Sequence, residues 1–174
     1  MSGGERDRLK LRARDTSDYE VVSAVLQDAL VAIADIAHLQ KERRFVLLAN
    51  RFRWEARAPL ADLPDGMPQP RTALSGDADA RFEDAPLYER VQCGLTFDRV
   101  GGVRYRGFRR DTPGRILNML ALLPDAAGVT LQFSADAAVR LQGRRLVCHL
   151  EDIGEPWPTH WRPQHDPEHD PEHD

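Results

Sequence analysis

The chain has 174 residues, of which 41% are hydrophobic and 30% are charged, as is typical of a folded globular protein with one domain of ordinary size. It contains neither an apolar run of the roughly 20 residues that span a bilayer nor the apolar stretch of a signal peptide near its start, so we expect a cytoplasmic protein. The formal net charge is −4, but residues 165–174 hold five of the 28 acidic residues, and the near-neutral remainder implies neither a strongly basic nucleic-acid-binding protein nor an acidic solvating one.

Proline marks the boundaries along the chain. Five of the 12 prolines lie in residues 56–87, and five more lie beyond residue 155. Because residues 56–87 also lack apolar periodicity, they are predicted to form a long mobile loop inside a single domain of residues 9–154. A linker between two domains is the alternative, but each flanking piece has too few strands to bury a sheet alone. Residues 155–174 are predicted to be an extended Pro/Trp segment and a disordered acidic His-Asp-Pro-Glu tail.

The first predicted elements are a strand, a helix and a hairpin. Residues 9–14 alternate at period two, which predicts a strand, and apolar residues at helical spacing predict a helix over 16–28. The helix has two candidate N-caps, which are Asp15 and the capping box of Ser17 with Glu20. Residues 30–39 and 44–54 follow as two strands joined by a short polar turn, which predicts a hairpin.

The second strand of this hairpin begins apolar on both faces, so we expect a central strand that is partly covered on both sides. Alternation places two sets of side chains on opposite faces: one set is Val46, Leu48, Asn50, Phe52 and Trp54, and the other is Phe45, Leu47, Ala49, Arg51 and Arg53.

The part of the chain after residue 87 is predicted to consist mostly of strands. Residues 90–97 alternate, and Gly101-Gly102 is suited to a two-residue turn leading into a return strand over 103–108. That register sets Arg99 opposite Arg104, an unfavourable pair, so the register stays open. The apolar run at 116–123 is interpreted as a short helix entering a strand that ends at Pro124. Residues 129–133 alternate most clearly, and the alternation continues at 139–141.

Residues 143–153 are predicted to form a terminal helix, with Gly154 as its C-cap. The predicted fold class is therefore α+β, with a mostly antiparallel sheet of about seven or eight strands, an early helix and a C-terminal helix. A pleckstrin-homology-like arrangement, in which the last helix closes a curved sheet, fits this order of elements.

Three stretches resemble a family of alphaproteobacterial proteins of unknown function: Leu26–Ala29, the block from Lys41 to Glu55, and the ending from Glu151 to Trp157. The resemblance covers most of the chain outside residues 56–87 and the tail. It implies a small cytoplasmic bacterial protein, and it implies no activity, cofactor or catalytic residue.

The sequence contains none of the motifs of well-marked enzyme classes. There is no phosphate-binding loop, dinucleotide fingerprint, nucleophile elbow or His-Glu-x-x-His pair, and no cofactor is indicated. Cys148 beside His149 is the nearest approach to a nucleophile and a base, with Cys93 as a further candidate. Adjacent residues on a helix point about 100° apart, so ordinary packing is the favoured interpretation.

No metal site is predicted either. Two cysteines cannot supply a four-cysteine zinc site. The tail histidines offer metal-type ligands, but the prolines between them oppose the helix that would align their side chains. These histidines are His165, His169 and His173.

Arginine supplies the sharpest binding hypothesis, although a GC-rich genome would also produce the preference for Arg over Lys. Arg51 and Arg53 share one strand face, and Arg104 and Arg106 share another. If those strands were neighbours, four guanidinium groups would gather into a patch for phosphate, a nucleotide or an RNA backbone. The alternative is a solvated face with Asp and Glu partners.

Trp157 and Trp161 alternate with prolines in a segment suited to docking into the groove of a partner protein, or to folding back onto its own core. Together with the lack of catalytic motifs, this segment predicts a non-enzymatic protein-binding or regulatory module with an unknown protein partner and no membrane contact. Nucleic acid is the less favoured partner. The alternatives are an anion, nucleotide or RNA binder that uses the arginines, and a small enzyme with an unmarked Cys/His site.

Overall fold

The computed structural model describes residues 8–56, 88–112 and 114–159. The predicted mobile loop and the predicted disordered tail lie outside these residues, except for residue 56 and residues 155–159. The described helix and strands are, in chain order, β1 (Lys10–Ala13), α1 (Thr16–Leu26), β2 (Leu30–Ala32), β3 (Ile36–Leu39), β4 (Arg44–Phe52), β5 (Tyr88–Asp98), β6 (Gly102–Arg106), β7 (Ile116–Asp125), β8 (Gly128–Phe133), β9 (Ala138–Gln142), β10 (Val147–Asp152) and β11 (Trp157–Thr159).

All described strands pair antiparallel within one sheet, in the order β1-β10-β5-β4-β2-β7-β8-β9-β6. β3 pairs with β4 beside β2, and β11 pairs with β5 beside β10. The prediction of a mostly antiparallel α+β protein is confirmed. The described part of the chain has eleven strands, however, rather than seven or eight.

The early helix is also confirmed, and Asp15 is its cap. The Asp15 side chain accepts a hydrogen bond from the Asp18 N–H at 2.9 Å, which satisfies one free donor of the first turn. The helix ends at Leu26, two residues earlier than predicted, because Gln27 leaves the helical conformation with a ψ of 129° and Asp28 follows with a positive φ of 62°. Its buried stripe, Tyr19, Val22 and Leu26, packs against β1, β4 and β7.

The sheet curls back on itself. The evidence is that two consecutive residues form hydrogen bonds with strands that are far apart in the strand order. The Val100 N–H donates to the Arg43 carbonyl at 2.8 Å, and the Gly101 N–H donates to the Gln142 carbonyl at 2.7 Å. Arg43 precedes β4, and Gln142 ends β9, four strands away, which is about 19 Å in a flat sheet. These strand ends therefore meet, and the core lies between the two halves of the sheet.

The same crossing corrects the hairpin predicted at Gly101-Gly102. β6 pairs with β9 rather than β5, and Arg104 lies opposite Arg140 rather than Arg99. The β5–β6 connection carries the chain from one half of the curled sheet to the other. A tight two-residue turn cannot make that crossing.

The β3–β4 hairpin was predicted correctly. Leu39 lies opposite Arg44, and Arg43 occupies the left-handed conformation at the end of the polar turn. The preceding stretch divides into β2 and β3 because a 3-10 turn at Ile33–Asp35 interrupts it. In β4, one of the two predicted faces is buried and points into the core, and the other is partly covered, with Val46, Leu48 and Asn50 half-buried and Phe52 buried.

Both helices predicted for the second part of the chain are wrong. Residues 116–123 belong entirely to β7, and residues 147–152 form β10. In β10, Cys148, Leu150 and Asp152 are buried while His149 and Glu151 are exposed. That is the alternation of a strand. The pleckstrin-homology-like arrangement therefore has no closing helix among the described residues.

The core is one cluster of buried side chains drawn from both sides of residues 57–87. Gly128, at the start of β8 with φ 158°, lies so close to the backbone of β9 that an added Cβ would be 1.9 Å from the Leu141 carbonyl oxygen. No helix in the described residues has the length and apolar character needed to cross a membrane.

Candidate functional site

Arg51 lies inside the protein. It is on the core-facing side of β4 with Phe45, Leu47 and Ala49, and its side chain is 0% exposed. Its Nε and Nη2 donate to the two oxygens of Asp152 at 2.8 and 2.7 Å, in bidentate geometry. Because Asp152 is only 2% exposed, each buried charge depends on the other.

Glu55 and Leu9 complete the surroundings of this ion pair. Arg51 donates from Nη1 and Nη2 to the Glu55 carboxylate at 3.0 and 2.5 Å, and the Leu9 N–H donates to Asp152 at 3.0 Å. Burial disfavours the Glu55 carboxylate, but the hydrogen bonds from Arg51 outweigh it and hold the pKa of Glu55 below its ordinary value. The cluster thus connects β4, β10 and the start of the chain, and Arg51 has no donor left for a ligand.

The Arg53 side chain, like that of Arg51, forms hydrogen bonds within the protein. Its Nη1 donates to Glu89, and its backbone N–H donates to the Glu89 carbonyl at 2.9 Å. The residue is 7% exposed. The buried guanidinium of Arg53, just after β4, is therefore paired with the partly exposed carboxylate of Glu89 on β5.

Arg104 and Arg106 lie on the exposed face of β6, away from the other two predicted arginines. β6 pairs with β9, whereas β4 pairs with β5, β2 and β3. The premise that these strands are neighbours is wrong, and the four guanidinium groups do not gather. Arg106 forms an exposed ion pair with Asp136 at 3.1 Å, whereas Arg104 has no ion pair within the described residues. A role for these two side chains in anion binding stays a prediction.

Arg140 makes polar contacts that the sequence did not predict. It lies opposite Arg104 on β9 and donates to Thr130 Oγ1 at 3.0 Å and to Asp125 at 2.7 Å. The hydrogen bond from Arg140, with those from backbone N–H groups, lowers the pKa of Asp125 to about 2. The alternation of residues 139–141 already places Arg140 outward, but nothing in the sequence reveals which strand lies beside it.

The apolar part of the surface is concentrated on α1 and β7. Seven large apolar side chains of the described residues are exposed, and four of them belong to these two elements. These four are Val21 (52% exposed), Ile116 (61%), Leu120 (43%) and Leu123 (47%).

An open groove runs between the helix and this strand. Its volume is about 360 Å³, and we call it the α1/β7 groove; its walls are Glu20, Ser23, Ala24 and Gln27 from α1 and Leu120, Leu122 and Leu123 from β7. The four helical residues recur at the spacing of one helix face. Sequence reasoning missed the groove because it interpreted 116–123 as partly helical.

The edge of β7 along this groove is closed to a further strand. β2 covers β7 only at residues 116–118, and a register shift between Met119 and Ala121 follows. The Leu122 N–H beyond it donates to Ser23 Oγ at 3.0 Å, and Pro124 has no N–H to offer. Such features protect an exposed sheet edge against strand pairing, so the groove is suited to side chains rather than to an added strand.

Trp157 lies on β11, opposite Arg90 of β5, and is 38% exposed. Trp161 lies outside the described residues. A contact of either tryptophan with a partner stays a prediction.

The Cys/His arrangement weighed for catalysis does not form a nucleophile and base pair. On β10, Cys148 points inward and His149 outward, and both cysteines are buried. Burial raises the pKa of Cys93 to about 12, and it raises the pKa of Cys148 as well. Thiols of this kind are packing groups rather than nucleophiles. No cluster of metal-ligating side chains occurs in the described part of the chain, and the tail histidines lie outside it.

Comparison with known proteins identifies a family. The family model described as "Protein of unknown function (DUF2948)" matches residues 9–165. The chain belongs to this family. The match spans α1, both walls of the groove and the eleven described strands. Searches of curated proteins and of solved structures gave no match.

Proposed function

We propose that this member of the family is a non-enzymatic cytoplasmic module that binds a partner protein in the α1/β7 groove. The single observation that carries the proposal is that two exposed leucines of β7, Leu120 and Leu123, line this groove beside a polar helix face. Scattered exposed apolar residues are normal on a soluble protein, whereas a contiguous group with a polar rim is typical of an interaction site.

The shape of the groove supports a helical partner segment. Ser23 and Pro124 close the β7 edge to strand addition, so an amphipathic helix with aliphatic anchors is the partner segment that fits. Glu20 is the one charged side chain in the groove lining. A helix with a basic residue beside its apolar stripe would match that charge.

Affinity capture with matched variants tests the proposal. The tagged wild-type protein, Leu123→Asp, Leu120→Asp and the control Ile153→Asp are used as baits in lysate of the native host. Ile153 is 46% exposed, close to the 47% of Leu123, but lies after β10 rather than at the groove. Each bait is first checked by circular dichroism for the wild-type fold.

The proposal expects one set of partner proteins with the wild-type and Ile153→Asp baits. The same set should fall at least about tenfold with Leu123→Asp and with Leu120→Asp, since a charge in an apolar contact costs more than about 1.4 kcal/mol. Equal capture by all four baits, or equal loss with the Ile153 control, would remove the groove as the binding site.

A further inference from the structure

Three loops converge at one end of the sheet, and together they form a basic surface separate from the groove. They are residues 40–43, 99–101 and 143–146, which we call the three-loop end. The Val100 N–H donates to the Arg43 carbonyl at 2.8 Å. An added Cβ on Gly143 would lie 2.6 Å from the Arg99 carbonyl oxygen. The loop at 99–101 therefore contacts both of the other loops.

The charge of this end is strongly one-sided. Its eleven residues include five basic side chains, which are Lys41, Arg43, Arg99, Arg144 and Arg145, and one acidic side chain, Glu42. Within the described residues, none of the five forms an ion pair with a carboxylate. The neighbouring Asp98 already pairs with Arg44 at 2.8 Å. Arg145 shares a surface pocket with Asp15 and Asp125, but all five basic residues are exposed and lie beyond ion-pair distance of any carboxylate in the described residues.

The surrounding chain adds to this imbalance. Residues 100–146 carry eight arginines and three aspartates, and each aspartate is already paired, with Arg109, Arg140 or Arg106. The near-neutral total charge of the body therefore conceals a basic half.

Backbone strain at the three-loop end favours a functional reason for its arginines. Arg43, Arg99 and Arg145 all have positive φ, at 52°, 70° and 56°. The left-handed conformation favours Gly and Asn, and other residues adopt it at a cost. Three turns that each place arginine where glycine would be less strained suggest that the side chains are retained for binding.

The loops hold these arginines on fixed supports. Val100 is 1% exposed and Leu146 is 4% exposed, so an apolar side chain anchors two of the loops in the core. The Tyr19 hydroxyl also donates to the Leu146 carbonyl at 3.1 Å. The basic side chains therefore project from a rigid base, which reduces the entropy lost on binding.

We infer that the three-loop end binds the phosphate backbone of duplex nucleic acid without reading its sequence. Guanidinium groups match phosphate oxygens in bidentate geometry. The eleven residues of the three loops include no aromatic side chain, so they offer no platform for stacking unpaired bases. A backbone contact of this kind depends on charge and geometry alone.

Fluorescence anisotropy with a labelled 20-base-pair duplex, prepared once as DNA and once as RNA, tests the inference. The full-length protein is titrated between 50 and 200 mM KCl. Four to five phosphate contacts predict a slope of about −4 in a plot of log K against log salt concentration. The ratio of the two affinities shows which duplex is preferred.

Variants separate a binding role from a structural role. Arg43→Gly, Arg99→Gly and Arg145→Gly are combined, and Arg12→Gln on β1 is the control. Glycine relieves the left-handed strain, so the triple variant should fold with an equal or higher melting temperature. Its salt slope should nevertheless be shallower by about 3, because three phosphate contacts are lost.

Three outcomes would overturn the inference. One is the absence of duplex binding at tens of micromolar protein in 50 mM KCl. A second is unchanged binding by the triple glycine variant. The third is saturable binding to phosphatidylserine vesicles or to poly-glutamate without duplex binding, which would assign the basic end to a membrane or to an acidic protein.

Discussion

Substitution of Asp152 by Asn tests how far the fold depends on its buried ion pair. The change removes the carboxylate that holds Arg51 at 2.8 and 2.7 Å, and it leaves a fully buried guanidinium. Breaking a buried pair in this way costs about 3–5 kcal/mol. Because Glu55 still accepts from both Nη atoms of Arg51, we expect the lower end, about 3 kcal/mol.

Urea unfolding followed by circular dichroism measures this loss. A loss of about 3 kcal/mol is a large share of the roughly 5–15 kcal/mol by which a native protein is stable, and it corresponds to a melting temperature lower by about 6–12 °C. The control is Asp98→Asn, which breaks the half-exposed pair with Arg44 and should cost less than about 1 kcal/mol.

A double variant shows whether the cost comes from the unpaired charge. Arg51→Met with Asp152→Leu removes both charges and replaces them with apolar groups. It should therefore destabilise the protein less than the sum of the two single changes. If Asp152→Asn costs no more than Asp98→Asn, the reasoning about burial and pairing is refuted.

Two further predictions follow from the pKa values. NMR titration of the Asp125 carboxyl should give a midpoint near 2, and Arg140→Gln should move it towards the ordinary value of 3.8. Since the folded-state pKa is the lower one, the stabilisation by this pair is complete above about pH 4 and is lost as the pH falls through 2; an unmoved midpoint in Arg140→Gln would contradict this. The buried thiols of Cys93 and Cys148, with raised pKa values, should resist iodoacetamide at pH 8 and react only after denaturation, as mass spectrometry would show. Rapid labelling of the native protein would show that a thiol is accessible.

Local patterns predicted the elements that local interactions determine. The alternation of residues 129–133 predicted β8. The capping residues before α1 marked its start, and of the two candidate caps the structure has Asp15, whose side chain accepts from a donor three residues ahead, rather than the Ser17 capping box. The β3–β4 hairpin was also found, since its turn joins adjacent residues of the chain. Each of these signals is contained in a few consecutive residues of the chain.

Long-range partners explain the errors. Leu146, Val147, Leu150 and Ile153 have helical spacing, but Ile153 is 46% exposed and the buried position after Leu150 is a charged residue, Asp152. A buried aspartate interrupts the apolar alternation that identifies a strand. Its burial is favourable only because Arg51, 101 residues earlier, pairs with it.

The candidate sites depend on the same long-range information. The pattern of β4 correctly grouped Arg51 with Phe45, Leu47 and Ala49, but it did not show that this face is the core. The groove needs α1 and β7 side by side, although about 100 residues separate Ser23 from Leu122. The three-loop end likewise joins turns from distant parts of the chain, which no local pattern reveals.

Hydrogen–deuterium exchange on the captured complex tests the proposed groove most directly. Binding of a helix between α1 and β7 should slow the exchange of amides in residues 20–27 and 120–123, with little change around Ile153 and β11. Protection that appears at β11 and Trp157, with none along α1 and β7, would contradict the proposal and place the partner on the tryptophan segment instead.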